Sequence, residues 1–318
     1  MIYLPIGIPI IFVLTAMLGT MVSGCSRNLD LVKIVAKNIS YEIGHPIQPP
    51  AAKLQIPTHD NPGDSAVNVG WVGHSTIFLS FYGTFILTDP NFANRVAIAR
   101  RVVGLPIKPE EIKELDLVLI SHPHYDHLDM PSLKRLPREP YLIVPPGCKD
   151  LIDDLGFSKV VEMKWGEIFS VNGLLVEAFK PRHWGRRSPF EDEDRGYNSY
   201  ILTKNGKSIL FAGDTGYSKV FGEKGKGRDI LIAFFPISAY RPDWFHHNHA
   251  SPEEALKMFL ESGAKFMVPI HWGTFILSHE PIEEPLKRLK EEASRLGLED
   301  RVIILQHGQS FTLDRETR

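Results

Sequence analysis

Three histidines and two aspartates are crowded into residues 121–129 (SHPHYDHLD), directly after the apolar run at residues 115–120 (LDLVLI). The run is typical of a buried β-strand, so the polar residues lie in the turn that leaves it. Imidazole nitrogens and carboxylate oxygens at such spacing suit Zn²⁺ or a similar divalent ion. A polar surface turn is the alternative, but only 13 of the 318 residues are histidine. The density of histidines therefore favours a metal site.

Further candidate ligands follow other apolar runs along the chain. They are His183 after LLVEAFK, Asp214 after KSILFAG and His271 after KFMVPI. A single histidine in such a place is more often packed or solvated, but their shared position at strand ends predicts that all of them reach one rim of a β-rich scaffold. The two cysteines, Cys25 and Cys148, form no Cys-x-x-Cys pair, so we expect nitrogen and oxygen ligands.

From about residue 66 the chain has mainly β-type patterns. Three pairs of apolar runs are joined by two-residue turns that predict hairpins, at Tyr82-Gly83, Asn172-Gly173 and Asn205-Gly206. Helices are fewer. One is predicted to begin at Ser251, which stands as the N-cap of a capping box with Glu254, and a second covers residues 281–296.

The N-terminal residues 1–25 contain no charged side chain and are long enough to cross a bilayer as a helix, which takes about 20 residues. Their last four residues, VSGC, resemble a bacterial lipobox, in which Cys25 receives lipid after cleavage. No lysine or arginine precedes the apolar run, as a signal peptide would have, so an uncleaved anchor is the alternative. Either way we expect a membrane-associated protein with its domain outside the cytoplasm.

Composition and proline content suggest how the rest of the chain is organised. After the membrane-directed segment at residues 1–25, we expect a linker or strap at residues 26–65 and one hydrolase domain at residues 66–318. The 36 basic and 38 acidic residues give a formal charge of −2, so no excess of positive charge indicates a nucleic-acid partner. A homodimer is compatible with the sequence.

The spacing of the candidate ligands resembles that of the metallo-β-lactamase superfamily. The resemblance rests on His122-x-His124-x-Asp126-His127, followed by His183, Asp214 and His271. More narrowly, the runs WVGHST, LTDPNFANR, ISHPHYDHLD, HWGRR, FAGDTGY, HASPEEA and IHWGTF are similar to the N-acyl-phosphatidylethanolamine phospholipase D family. The resemblance covers roughly residues 69–272.

This resemblance implies a fold, a cofactor and residue roles. The implied fold is of the α/β (α+β) type, a four-layer αββα sandwich. Two Zn²⁺ ions are implied, with another first-row metal as the alternative. The first zinc would be held by His122, His124 and His183, the second by Asp126, His127 and His271, and Asp214 would bridge them. Asp89 would support the site. Asp126 and His249 are the residues expected to act in catalysis, His249 by orienting substrate or protonating the leaving group.

The implied activity is that of a phosphodiesterase of the phospholipase D type. A metal-bridging hydroxide would attack the phosphorus of N-acyl-phosphatidylethanolamine or a related phospholipid. The alternative is a metal-dependent lactonase or another carbon-centred hydrolase, because related ascorbate-6-phosphate lactonases share the metal cluster. A third interpretation of the function is non-enzymatic, namely a zinc-binding surface lipoprotein. Arg182, Arg186 and Arg187 could recognise phosphate, but we favour a solvated face for them.

Overall fold

The structure is a computed structural model that describes residues 25–60, 65–188, 191 and 195–314. Its strands are β1 (Ser65–Gly73), β2 (Thr76–Phe81), β3 (Thr84–Thr88), β4 (Arg95–Val96), β5 (Ala99–Arg100), β6 (Leu117–Leu119), β7 (Tyr141–Val144), β8 (Lys159–Glu162), β9 (Ile168–Val171), β10 (Leu174–Phe179), β11 (Ser199–Lys204), β12 (Lys207–Phe211), β13 (Ile230–Pro236), β14 (Phe266–Ile270) and β15 (Ser310–Asp314). Its helices are α1 (Cys25–Gly44), α2 (Met130–Leu133), α3 (Val220–Gly225), α4 (Asp243–His246), α5 (Pro252–Ser262) and α6 (Glu284–Arg295).

Two large sheets form the centre of the molecule. The first has the strand order β15-β1-β2-β3-β6-β7-β8, and the second has the order β14-β13-β12-β11-β10-β9. Buried side chains from both sheets share one apolar cluster, which includes Trp71 and Ile86 from the first sheet and Ile201 and Phe211 from the second. The sheets therefore pack face to face around a common core.

Helical segments cover the outer faces of both sheets. Helix α5 packs against α3, α6 and strand β13 of the second sheet. The outer face of the first sheet is covered by shorter elements, including α2, whose Leu133 joins a second apolar cluster with Phe78 and Leu142. The predicted four-layer αββα sandwich is thus confirmed.

All three predicted hairpins are present with the expected turn geometry. The turn residues have positive φ at Tyr82-Gly83 (46° and 74°), Asn172-Gly173 (50° and 75°) and Asn205-Gly206 (52° and 73°). Two consecutive left-handed residues match the twist of antiparallel strands, which explains why this turn type joins them.

The two predicted helices also form. The capping box of α5 is complete, since Ser251 Oγ accepts from Glu254 N–H at 3.3 Å and Ser251 N–H donates to the Glu254 carboxylate at 3.0 Å. Helix α6 is shorter than the predicted 281–296 because it begins at Glu284, with Pro285 in its first turn. It ends before Gly297, which has a φ of 65° and stops the helix.

The structure differs from expectation at the start of the described chain. Residues 26–44, expected within a linker or strap, lie in helix α1, which runs from Cys25 to Gly44. Polar contacts dock this helix: Asn38 Nδ2 donates to Ile276 O at 2.8 Å, and Lys37 Nζ donates to Ser278 O at 3.1 Å. Because the docked face is partly polar, no apolar face marks this contact in the sequence.

Residues 45–57 lie against the domain, and we call them the strap. Gln48 N–H donates to Val102 O at 2.9 Å, and Leu54 N–H donates to Pro106 O at 3.0 Å. The side chain of Leu54 is buried. The domain boundaries at residues 25 and 65 stay predictions.

The membrane-directed segment predicted at residues 1–25 lies, except for Cys25, outside the described residues and stays a prediction. Among the residues that the structure does describe, no helix is both long and apolar enough to cross a membrane.

Cys148 is expected to resist alkylation in the folded protein. Its side chain is fully buried, and burial raises the pKa of its thiol to about 12, so almost no thiolate is present at pH 8. Peptide-level mass spectrometry after iodoacetamide treatment should find Cys148 unmodified in native protein and modified in denaturant. Rapid modification of the native protein would contradict the buried position.

Candidate metal centre

The candidate ligands lie in loops at one edge of the two sheets. His122, His124, Asp126 and His127 follow β6, which runs parallel to β3 and β7. In the second sheet β12, β13 and β14 are parallel, and Asp214 and His271 follow the first and last of them. Since the carboxyl ends of parallel strands lie at one edge of a sheet, the loops after them deliver these side chains to a common point.

The first group of candidate ligands is His122, His124 and His183, whose ligand atoms all lie within 4.8 Å of one another. His183 Nε2 is 3.3 Å from His124 Nδ1. His183 Nδ1 is 3.1 Å from the carbonyl oxygen of Asn248, which orients the ring. These three histidines are the set expected for the first zinc.

The second group contains Asp126, His127 and His271 together with His74. Asp126 Oδ2 lies 3.3 Å from His127 Nε2 and 3.4 Å from His271 Nε2. The same oxygen is 2.8 Å from His74 Nε2. The residues expected for the second zinc therefore converge as well, and His74 fixes the carboxylate of Asp126.

Asp214 lies between the two groups. Its Oδ2 atom is 3.1 Å from His271 Nε2, 3.3 Å from His127 Nε2 and 3.9 Å from His122 Nε2. Its ligand atom also lies within 4.8 Å of those of His183 and His249. One carboxylate is thus within reach of both groups of candidate ligands.

The donor atoms of this cluster fit a metal ion. Among the buried atoms that have no hydrogen-bond partner within the described residues are four of the candidate ligands: His122 Nε2, His127 Nε2, His271 Nε2 and Asp214 Oδ1. Leaving such atoms unpaired costs about 1–3 kcal/mol each. The three imidazole nitrogens lie within 3.9 Å of Asp214 Oδ2, and metal coordination satisfies imidazole nitrogens and carboxylate oxygens at once.

The electrostatics of the cluster agree with this fit. Burial lowers the pKa of His124 to about 4, and burial and neighbouring histidines hold the pKa of His122 well below its usual value. Both rings are therefore neutral, as a metal ligand requires. Burial also opposes protonation of His271, but Asp214 and Asp126 outweigh it and raise its pKa to about 9. Two buried carboxylates need compensating positive charge, which a metal cation supplies.

Asp89 supports the ligands from behind. Its Oδ2 accepts from Ser121 Oγ at 2.6 Å and lies 2.7 Å from His127 Nδ1, and its Oδ1 accepts from Ser121 N–H at 2.7 Å. Ser121 Oγ is in turn 2.9 Å from His122 Nδ1. Asp89 thereby sets the ring orientation of one histidine directly and of another through Ser121.

Replacing Asp89 with asparagine is expected to weaken metal binding by about 10–100-fold. One amide oxygen cannot accept the three hydrogen bonds that the carboxylate receives. Competition with a chromophoric chelator measures the metal affinity. Asp116→Asn is the matched control, because this carboxylate accepts from Phe85 N–H at 2.8 Å in the same sheet but touches no candidate ligand. Equal affinity in Asp89→Asn and wild type would contradict the supporting role.

His74 lies beside the second group of candidate ligands and holds it in place. His74, with a φ of 54°, donates its N–H to Thr274 Oγ1 at 2.7 Å and meets Asp126 through its ring.

Arg187 was expected in a solvated face, and this is wrong: its guanidinium is partly buried, donates to Pro123 O and to Leu128 O at 2.9 Å, and lies 4.0 Å from the ring centroid of Tyr125. Arg187 therefore braces the loop at residues 121–129. Arg182 and Arg186 are exposed, as expected.

His249 is the one histidine of the FHHNHA stretch that faces the centre. Its side chain is buried, and its Nδ1 lies 3.6 Å from Asp214 Oδ2 without a hydrogen-bond partner within the described residues. By contrast, His246 and His247 are exposed and contact Glu254 and Arg182, respectively. The ring centroids of Trp184 and Phe245 each lie 5.8 Å from that of His249, so aromatic side chains flank the imidazole beside the cluster.

Comparisons with known proteins agree with this geometry. A family model described as "Beta-lactamase superfamily domain" matches residues 84–272. The chain is 33% identical over 280 residues to the N-acyl-phosphatidylethanolamine-hydrolyzing phospholipase D, mitochondrial, of Saccharomyces cerevisiae, covering 82% of this chain but only 60% of that protein. It is 30% identical over 290 residues to N-acyl-phosphatidylethanolamine-hydrolyzing phospholipase D 1 of Caenorhabditis elegans, covering 82% and 81% of the two chains.

Solved structures show the same fold. A possible metal-dependent hydrolase from Veillonella parvula superimposes with a TM-score of 0.65 at 17% identity, over 78% of this chain and 100% of that one. At this identity the likeness concerns the fold.

Proposed function

Because the chain belongs to the β-lactamase superfamily and is a metal-dependent hydrolase of that fold, we propose that it is a binuclear zinc phosphodiesterase of the phospholipase D type. Its proposed substrate is N-acyl-phosphatidylethanolamine or a related phospholipid. The observation that carries the proposal is the placement of Asp214 between two groups of buried ligand atoms.

In this proposal each residue of the cluster has a separate task. One ion would be held by His122, His124 and His183 and the other by Asp126, His127 and His271, and Asp214 would serve both. When bound, the ions supply Lewis-acid activation of water and neutralise charge on the phosphoryl oxygens. His74 and Asp89 hold the ligands in position. His249 lies beside Asp214, where its imidazole can position the phosphodiester. Burial lowers the pKa of this imidazole to about 4, so it gives a proton to the leaving oxygen only where the bound phosphodiester anion raises that pKa.

The choice of substrate rests on the named relatives. The yeast and nematode proteins that resemble this chain, at 33% and 30% identity, are both described as hydrolysing N-acyl-phosphatidylethanolamine. The aromatic side chains of Trp184 and Phe245 beside His249 suit a substrate with apolar parts close to the reacting group.

A membrane location would suit the same substrate class. We propose that residues 1–25 tether the domain to a bilayer outside the cytoplasm, by lipid on Cys25 or by an uncleaved anchor. Helix α1 follows this segment directly and exposes the apolar side chains of Leu29, Val32, Ile39 and Ile43. Successive members of this set are three, seven and four residues apart, which places them on one face of the helix. An exposed apolar stripe next to an apolar segment is compatible with contact to lipid.

A parallel assay of the full chain in detergent micelles tests the proposed function. Zinc content is measured by elemental analysis, and hydrolysis is followed with N-acyl-phosphatidylethanolamine, a chromogenic phosphodiester and a simple lactone, each with and without chelator. We expect about two zinc ions per chain and chelator-sensitive cleavage of both phosphodiesters, with ethanolamide released from the lipid. Lactone opening without phosphodiester cleavage would overturn the proposal in favour of the carbon-centred hydrolase.

A further inference from the structure

A second cleft lies apart from the candidate metal centre, between α1, the strap and α6. Its volume is about 460 Å³, within the range of roughly 300–1,000 Å³ that is usual for small-molecule sites. Tyr41 of α1, Gln48 of the strap and Leu286 of α6 line it, together with Val102, Val103 and Trp272. None of these residues belongs to the metal cluster.

The floor and walls of the cleft are apolar. The indole N–H of Trp272 is already used, because it donates to Pro269 O at 3.1 Å, and the ring stacks on Trp71 at 4.9 Å. Trp272 therefore presents ring carbons to the cleft. Val102, Val103 and Leu286 add aliphatic surface. A hydrocarbon chain would fill such a lining better than a polar ligand.

Two lysines of α6 place positive charge on one side of the same cleft. Lys287 and Lys290 are exposed and lie three residues apart on α6, so they share one face. Lys287 Nζ is 3.8 Å from Glu291, whereas within the described residues no carboxylate oxygen lies within 4.0 Å of Lys290 Nζ. Glu283 is the single acidic residue of the lining, so positive charge prevails there.

We propose that this cleft binds a single-chain anionic amphiphile. Its hydrocarbon tail packs on Trp272, Val102 and Leu286, and its carboxylate or phosphate head pairs with Lys287 and Lys290. The proposal does not depend on the phosphodiesterase activity, because the cleft shares no residue with the proposed catalytic cluster.

Photolabelling of the full chain in lipid nanodiscs tests this site. The probe is a dodecanoic acid that carries a diazirine in its tail, and the comparison probe has the same tail with a trimethylammonium head. Peptide mapping by mass spectrometry locates the label, so partitioning into the bilayer does not obscure the result. We expect the carboxylate probe to label residues 102–103 and 282–290, and the cationic probe to label them less.

Paired variants distinguish recognition of the anionic head from non-specific binding of the probe. Lys287→Gln combined with Lys290→Gln should lower labelling by the carboxylate probe roughly threefold or more, since two ion pairs are lost. The control combines Lys113→Gln with Lys134→Gln, which removes the same charge from exposed positions elsewhere and should leave labelling unchanged. Val103→Trp should block the site by filling it.

Two results would overturn the proposal. One is that the carboxylate and cationic probes label the cleft equally, both in wild-type protein and in the variant that combines Lys287→Gln with Lys290→Gln. The other is label spread over Leu29, Val32, Ile39 and Ile43 of α1 in place of the cleft, which would indicate non-specific partitioning. Since the readout is a labelled peptide, loss of phosphodiester hydrolysis in the separate assay would not affect either conclusion.

Discussion

Asp214→Asn is expected to lose both metal ions and to lower kcat/KM for phosphodiester hydrolysis by roughly 10³-fold or more. The Oδ2 atom of Asp214 lies between 3.1 and 3.9 Å from nitrogens of His271, His127 and His122, so it serves both proposed ion positions. An amide removes the negative charge that both cations need. It also gives its second position an N–H group, which cannot coordinate a metal.

Elemental analysis and kinetics on the same preparation provide the measurement. Asp229→Asn is the matched control, because this carboxylate is bound by Lys207 and Lys265 at the surface and lies outside the metal cluster; it should retain wild-type metal content and rate. Assays at added zinc then show whether the Asp214 variant can be reloaded. Two ions per chain and full activity in Asp214→Asn would disprove the bridging role.

The fold and the metal cluster were predictable because their signals are local. A turn such as Asn172-Gly173 specifies its hairpin through the φ angles of two adjacent residues. The candidate ligands His122, Asp214 and His271 each stand just after an apolar run, and the parallel strands β6, β12 and β14 bring those run ends together. Recognition of the histidine spacing then joined these loops into one site.

Other features depend on contacts between segments far apart in the sequence. Helix α1 is held by Asn38 and Lys37 on the loop at residues 276–280, and no local pattern records that partner. Arg187 is one of three arginines that flank His183, which suggests solvation, yet it binds carbonyl oxygens of the loop at residues 121–129. Propensity and periodicity describe neighbours within a few residues, so they do not reveal such long-range polar contacts.

His249→Ala is expected to keep both metal ions but to lower kcat by roughly 10²–10⁴-fold, the usual contribution of a positioned acid or base. Its Nδ1 is 3.6 Å from Asp214 Oδ2, near the reacting centre but outside the two three-residue groups proposed as metal ligands. His246→Ala and His247→Ala are matched controls within the same stretch. Both side chains are exposed, so their rates should stay close to wild type.

Substrates with different leaving groups distinguish the roles of His249. If its imidazole protonates the leaving oxygen, a phosphodiester of p-nitrophenol, whose anion leaves without a proton, should lose much less rate in His249→Ala than the phospholipid does. If the imidazole only positions substrate, both rates should fall by the same factor, with a rise in KM. Loss of one zinc ion in His249→Ala would contradict both roles and would make His249 a metal ligand, for which its place near Asp214 and His183 already supplies the geometry.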